Sequence, residues 1–160
     1  MRWLAVLAAS LLVASLAGCV TAPPAPTIDS TEAKAQYQPA MDDLVEALES
    51  AYPTVDWTTD PDHGDRVLFG SSDEPCSLWL ADQLAESLPD ASGGWDNVMT
   101  VVNPVLETHG FSAISETDDI AGGFTGISST DDAGSEFRIV DKAGTNISLE
   151  IDVTDTSCKD

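Results

Sequence analysis

Two acidic stretches carry the residue types that bind calcium. The carboxylates of Asp60–Asp65 lie in one turn-rich stretch, and those of Asp131–Glu136 lie in another. Hard oxygen ligands on loops suit Ca²⁺, but the first stretch lacks the ordered aspartates and the distant glutamate of an EF-hand loop. Calcium ligands and solvated turns are therefore both open as interpretations, and no metal site is predicted.

The sequence contains no recognised catalytic constellation. A nucleophile must lie beside an oriented base, yet the two histidines are His63, in a turn, and His109, at a helix end where it can interact with the helix dipole. The chain lacks His-Glu-x-x-His and Cys-x-x-Cys, so no transition-metal site is indicated. Gly122-Gly123-x-x-Gly126 leads into a strand, which excludes a dinucleotide loop. We predict no catalytic residues, no cofactor and no enzymatic activity.

The first 18 residues have the features of a signal peptide. Arg2 supplies a positive charge, and the apolar run Trp3–Leu16 is shorter than the ~20 residues of a spanning helix. Leu16-Ala17-Gly18-Cys19 resembles the lipobox of bacterial lipoproteins. That resemblance implies a diacylglyceryl group on Cys19, cleavage before it, and a membrane partner reached through the lipid, held firmly by two or more acyl chains. A buried helix or an uncleaved anchor is the alternative.

The domain boundaries follow from this segment. We expect a signal peptide over 1–18, a lipidated Cys19 with a Pro-rich tether over 19–29, and one extracytoplasmic domain over 30–160. The prolines of Val20–Ile28 favour an extended, semi-rigid spacer. The predicted location is the extracytoplasmic face of the cell membrane.

The chain is strongly acidic. Its 28 Asp and Glu outnumber six Lys and Arg, which gives a formal net charge of −22. Phosphate binding needs a basic surface, so nucleic acid is excluded as a partner. An anionic bilayer would also repel the domain. The acidity fits a solvated surface, and a high-salt source stays open.

Cys76 and Cys158 remain once Cys19 is assigned to the lipid. An even pair in an exported chain predicts a disulfide. It would fasten the C-terminal end to the middle of the domain. Two free buried thiols are the alternative.

The hydrophobic periodicity changes along the chain from helical to alternating. Helices are predicted from Asp29, with a capping box, to Ala51, with a kink or break at Pro39, and over 77–88 and 95–109, with a linker over 89–94. Strands are predicted over 54–59, 66–70, 111–117, 124–130, 136–141 and 146–153. Short connections imply antiparallel neighbours. The fold class is therefore α+β, with an antiparallel C-terminal sheet of about four strands covered on one face by helices.

The last strand has the clearest alternation. Ile147, Leu149, Ile151 and Val153 should face the helices, whereas Ser148, Glu150 and Asp152 should face solvent or a groove.

This layout resembles small actinobacterial lipoproteins of the mycobacterial Lpp type. The likeness lies in Cys19, the Trp57 strand, Cys76, the Gly110-Phe111 helix exit and the terminal Thr156-Ser157-Cys158. The resemblance implies the fold and the location rather than a chemistry, because many such families have no assigned activity.

Three functions remain to be distinguished. The first is a non-enzymatic, lipid-anchored domain with a binding or envelope-interaction role, whose protein or small-molecule partner is unknown. The alternatives are a cell-envelope hydrolase with an unrecognised site, and a binder of an apolar ligand in a groove between helices and sheet. Trp57, Trp79 and Trp95 could line such a groove, although single aromatics in amphipathic elements more often belong to the core.

Overall fold

The computed structural model describes residues 25–69 and 75–158. The predicted signal peptide, Cys19 and most of the predicted tether lie outside the described residues. The described elements are α1 (Ser30–Ala51), β1 (Thr58–Thr59), β2 (Arg66–Phe69), β3 (Cys76–Trp79), β4 (Gln83–Ala85), α2 (Leu88–Ser92), α3 (Trp95–Thr108), β5 (Asp118–Ile120), β6 (Phe124–Thr130), β7 (Glu136–Asp141) and β8 (Thr145–Val153). None of the described helices combines the length and apolarity needed to cross a bilayer.

α1 begins where the sequence predicts. The Asp29 carboxylate accepts hydrogen bonds from the backbone N–H groups of Thr31 and Glu32, both at 2.9 Å, which satisfies two otherwise free donors. Pro39 lies within one continuous helix, so the break at this proline is wrong and the kink stays a prediction. The proline ring is exposed, while the buried Tyr37 and Met41 on either side hold the helix on the core.

All strand pairs are antiparallel, and the sheet is larger than predicted. Its order is β1-β4-β8-β7-β6-β5, with β2 paired to β3 and β3 paired to β8. β3 and β4 occupy the same edge of β8 in succession: Cys76–Trp79 pairs with Glu150–Val153, and Gln83–Ala85 pairs with Thr145–Ile147. The described residues therefore form an α+β fold with eight strands rather than four.

The helix predicted over 77–88 is wrong. This segment forms β3 and β4, with a break at Leu80–Asp82. Leu78 and Leu80 are both buried, as alternation in a strand requires. The free edge of β8 pairs with the segment, and this non-local pairing overrides a local apolar spacing that also fits a helix.

The strand predicted over 111–117 is also wrong. Only Phe111 forms a bridge, to Asp131, and β5 begins at Asp118 in the predicted turn. The Asn103 side chain accounts for this, because its amide both accepts from the Ile114 N–H and donates to the Ile114 carbonyl, each at 2.9 Å. A side chain of α3 thus replaces the sheet ladder here.

Smaller differences concern two connections. The strand predicted over 54–59 is reduced to β1, and the predicted linker over 89–94 contains the short helix α2. Ser87 caps α2 by accepting from the Asp90 N–H, and Gly93 ends it in the left-handed conformation, at φ +83°.

The helices cover one face of the sheet. The alternation predicted for β8 is confirmed: its odd-numbered side chains from Ile147 to Val153 are at most 2% exposed, and the intervening ones are partly exposed. Leu44 and Leu48 of α1, and Val98 and Val102 of α3, are fully buried against this inner face. The core therefore lies between the helices and the odd-numbered positions of the long strands.

Cys76 and Cys158 lie at disulfide distance, with their Cα atoms 5.9 Å apart. This separation falls within the range that a disulfide allows. Because Cys76 opens β3, the pair holds the segment after β8 against the middle of the chain, as predicted.

Candidate functional site

The second face of the sheet carries no described helix. Antiparallel sheets commonly expose one face to water, but this one also holds charged, aromatic and aliphatic side chains. We call this surface the open face. Its side chains include Arg66, Trp79, Ile120, Phe124, Ser128, Glu136, Arg138, Val140, Asn146, Ser148, Glu150 and Asp152, assigned by strand register.

Basic residues concentrate on the open face. The described residues contain four Lys and Arg, and of these Arg66 and Arg138 lie on the open face while Lys142 lies at its edge. The fourth, Lys34, forms an ion pair with Asp65 beside α1. In a chain with a net charge of −22, the open face therefore carries charges of both signs.

A carboxylate cluster surrounds Arg138. Its Nη2 donates to Glu136 Oε2 at 2.8 Å, and this hydrogen bond raises the pKa of Arg138. Glu150 pairs directly with Glu136 across β7 and β8. Burial is the largest cause that raises the pKa of Glu150, and the charges of Asp152 and Glu136 add to it against Ser77 and Arg138. The sheet therefore holds a half-buried carboxyl whose charged form is disfavoured.

Arg66 lies at the other side of the open face. Its guanidinium carbon is 5.5 Å from the centre of the Trp79 ring, and its Nη2 is 3.6 Å from Asp82 Oδ2. Asp82 is 8% exposed, and its Oδ1 has no hydrogen-bond partner among the described residues. The Arg66 guanidinium thus contacts both an aromatic ring and a nearly buried carboxylate.

An exposed apolar pair marks the end of the open face near the β5–β6 turn. Ile120 and Phe124 lie opposite each other in register, and each is 39% exposed. Lys142 Nζ lies 4.8 Å from the centre of the Phe124 ring and donates to the Gly122 carbonyl at 2.8 Å. A depression of about 680 Å³ extends from this pair to Arg138.

One carboxylate in each acidic stretch is engaged by several contacts within the protein. Asp60 Oδ2 lies 2.8 Å from His63 Nδ1, and the hydrogen bond from His63 is the main reason that the pKa of Asp60 is lowered. Asp131 Oδ1 accepts from the N–H groups of Ala133 and Ser135, and its Oδ2 accepts from the Tyr37 hydroxyl at 2.6 Å. Across residues 25–69 and 75–158, no three His, Cys, Asp or Glu side chains form a group that could hold a metal ion.

The two histidines each contact a carboxylate and lie in different parts of the fold. His63 pairs with Asp60 within a turn, and His109 Nε2 lies 2.8 Å from Asp43 Oδ2, linking the end of α3 to α1. In the described part of the chain, neither imidazole is hydrogen-bonded to a serine, threonine or cysteine. The hydrolase alternative therefore gains no nucleophile–base pair from the geometry.

The three tryptophans do not line one groove. Trp57 and Trp95 pack against the core, and Trp95 Nε1 donates to Thr125 Oγ1 at 3.1 Å, whereas Trp79 lies on the open face. A groove of about 650 Å³ does separate α1 from the edge of the sheet. Asp42, Glu46 and Glu49 border it, which does not suit a purely apolar ligand.

The sequence alone does not identify the open face as a site. The alternation of Glu136, Arg138 and Val140 identifies their common side, but the partner strands from β2 to β4 were not all predicted. Ile120 also fell within a predicted turn, where an exposed isoleucine has no distinguishing pattern.

The comparisons with known proteins identify no relative. No family model matches the chain, and neither curated proteins nor solved structures show a significant match. The Lpp-type resemblance accordingly stays a prediction from the residues that carry it.

Proposed function

We propose that this chain is a lipid-anchored extracytoplasmic domain with a non-enzymatic binding or envelope-interaction role, and that the open face is its binding surface. The observation that carries the proposal is the uneven surface of the sheet. One face is covered by helices, while the other combines an exposed apolar pair with two of the four described basic residues. An exposed apolar patch on a charged protein is typical of an interaction surface.

The proposed location depends on the N-terminal segment. The apolar run and the Leu16–Cys19 motif support a lipid on Cys19, and the Cys76–Cys158 pair supports an oxidising compartment. The net charge of −22 would keep the domain surface away from anionic lipid headgroups, so the lipid itself would supply the attachment.

Fatty-acid labelling tests the anchor. Cys19→Ala should abolish incorporation of a fatty-acid analogue and either release the protein from the membrane fraction or leave it unprocessed. Cys76→Ala with Cys158→Ala is the matched control and should retain the label. Label persisting on the Cys19→Ala protein would refute the assignment.

Site-specific photo-crosslinking tests the binding surface. A photoreactive residue in place of Ser128, on the open face, should give discrete crosslinked products in the source cells. The same residue in place of Glu107, which is exposed on α3, should not. Equal crosslinking from both positions, or none from Ser128, would contradict a binding role for the open face.

A further inference from the structure

The apolar end of the open face is built around a glycine. A Cβ atom on Gly126 would lie 2.9 Å from the Ile139 carbonyl oxygen and 3.1 Å from Ile120 Cδ1. The absence of a side chain at Gly126 lets the side chains of Ile120 and Val140 pack closely over its backbone. We call Ile120, Phe124, Gly126 and Val140, with the adjoining Arg138, the tip patch.

The tip patch lies far from the end where the chain enters the domain. The Ile28 carbonyl accepts from the Thr154 N–H at 2.9 Å, and the Ser30 N–H donates to Asp155 Oδ2 at 2.7 Å. The entering segment therefore lies beside the C-terminal end of β8, whereas the tip patch lies near its first residue, Thr145. At the rise of an antiparallel strand, these ends are roughly 27 Å apart.

The charges beside the tip patch favour a basic occupant. Asp118 and Glu136 line the depression of about 680 Å³, and Asp119 adjoins them. Arg138 is already engaged by Glu136, at 2.8 Å. Phe124 already accepts the ammonium group of Lys142 on its ring, at 4.8 Å. A ligand here therefore meets the carboxylates of Asp118 and Asp119 and the exposed carbon of Ile120 and Phe124.

From these observations we infer that the tip patch binds a polypeptide segment of a partner protein that carries both basic and apolar side chains. This inference rests on the proposed binding role of the open face and names the chemistry of its partner. The segment's apolar side chains cover Ile120 and Phe124, and its Lys or Arg side chains meet Asp118 and Asp119. A second copy of this chain is a poor occupant because two chains of net charge −22 repel each other.

A defined peptide tests the inference. The full chain, reconstituted in nanodiscs of neutral phosphatidylcholine, is titrated with a labelled eight-residue peptide of alternating Lys and Val, and empty discs serve as the blank. The peptide should bind, and binding should weaken at high salt because the charges are exposed. The double variant Ile120→Ser, Phe124→Ser should weaken binding at least tenfold. Phe69→Ser is the matched control and should leave peptide binding unchanged. Phe69 is also exposed, at 55%, but it pairs with Cys76 at the far end of the sheet.

Three results would overturn the inference. The first is equal binding by the double variant, whose folding is verified by an unchanged urea midpoint. The second is equally tight binding of an all-Lys peptide or of a Glu–Val peptide, which would remove the apolar or the basic requirement. The third is binding of anionic vesicles through Ile120 and Phe124, which would make a bilayer the occupant. Crosslinks from Ser128 without peptide binding would refute this inference alone and leave the proposed function standing.

Discussion

Leu149→Ala is the sharpest test of the one-sided sheet. Leu149 is 0% exposed and lies in β8, which pairs with β7 on one edge and with β3 and β4 on the other. The helices cover its side chain. The three carbons lost represent ~2.4 kcal/mol of transfer free energy. The surrounding sheet and helices cannot fully collapse into the space, so a cavity adds to the loss. The expected decrease in the free energy of unfolding is roughly 3–4 kcal/mol.

Urea unfolding followed by tryptophan fluorescence, without reductant, measures this loss. The matched control is Ser148→Ala, the neighbouring residue on the open face, which should change the free energy of unfolding by under ~0.5 kcal/mol. The two variants should have similar m-values, so that their midpoints compare directly. A loss for Ser148→Ala as large as that for Leu149→Ala would mean that β8 is buried on both faces and that the sheet has no open face.

Three further predictions follow from the same surfaces. The pKa of Glu150 is raised in the folded protein, so its protonated carboxyl stabilises the fold at pH values below about 4.3, the usual pKa of glutamate. This contribution is lost as the pH rises through the raised pKa. Glu150→Gln should therefore be more stable than the parent at pH 7 and equal to it below pH 4 in urea unfolding; a loss of stability at pH 7 would contradict this. Gly126→Ala should lower the free energy of unfolding by roughly 1–3 kcal/mol, because its Cβ would lie 2.9 Å from a backbone oxygen. Gly64→Ala is the control: a Cβ there meets no atom within 4 Å, so its thermal unfolding should match that of the parent. Non-reducing mass spectrometry of the exported protein should find Cys76 bonded to Cys158, and two free thiols would refute the bond. Reduction should lower the free energy of unfolding by up to ~4–5 kcal/mol for a separation of 82 residues.

The elements that the sequence predicts well are those with one dominant periodicity. β6 and β7 match their predicted bounds, and α3 agrees within one residue. In β8, every second side chain from Ile147 to Val153 is apolar, so the pattern fits a strand and fits no helix. The Cys76–Cys158 pairing also follows from residue types alone, once the N-terminal cysteine is assigned elsewhere.

The elements that the sequence misassigns depend on distant partners. Leu78, Leu80 and Leu84 fit a helical stripe as well as an alternating strand, and only the free edge of β8 decides between the two. In the segment after α3, Ile114 satisfies its backbone through the side chain of Asn103, a pairing that no local window contains. The alternation of β8 predicts the outward side of Ser148, Glu150 and Asp152, but the rest of the open face requires the register of several strands.

The charges of the open face are explained by contacts within the sheet, but the exposure of its apolar pair is not. Glu136 and Glu150 are directly opposite across β7 and β8, an arrangement that is unfavourable for like charges. Arg138 lies beside both and hydrogen-bonds Glu136, so its position is explained by relief of that repulsion. Ile120 packs over Gly126 and Phe124 lies beneath the Lys142 ammonium group, yet each keeps 39% of its surface exposed, and burying that part would be favourable. The binding proposal therefore depends on the apolar pair, while the neighbouring carboxylates determine which partner can cover it.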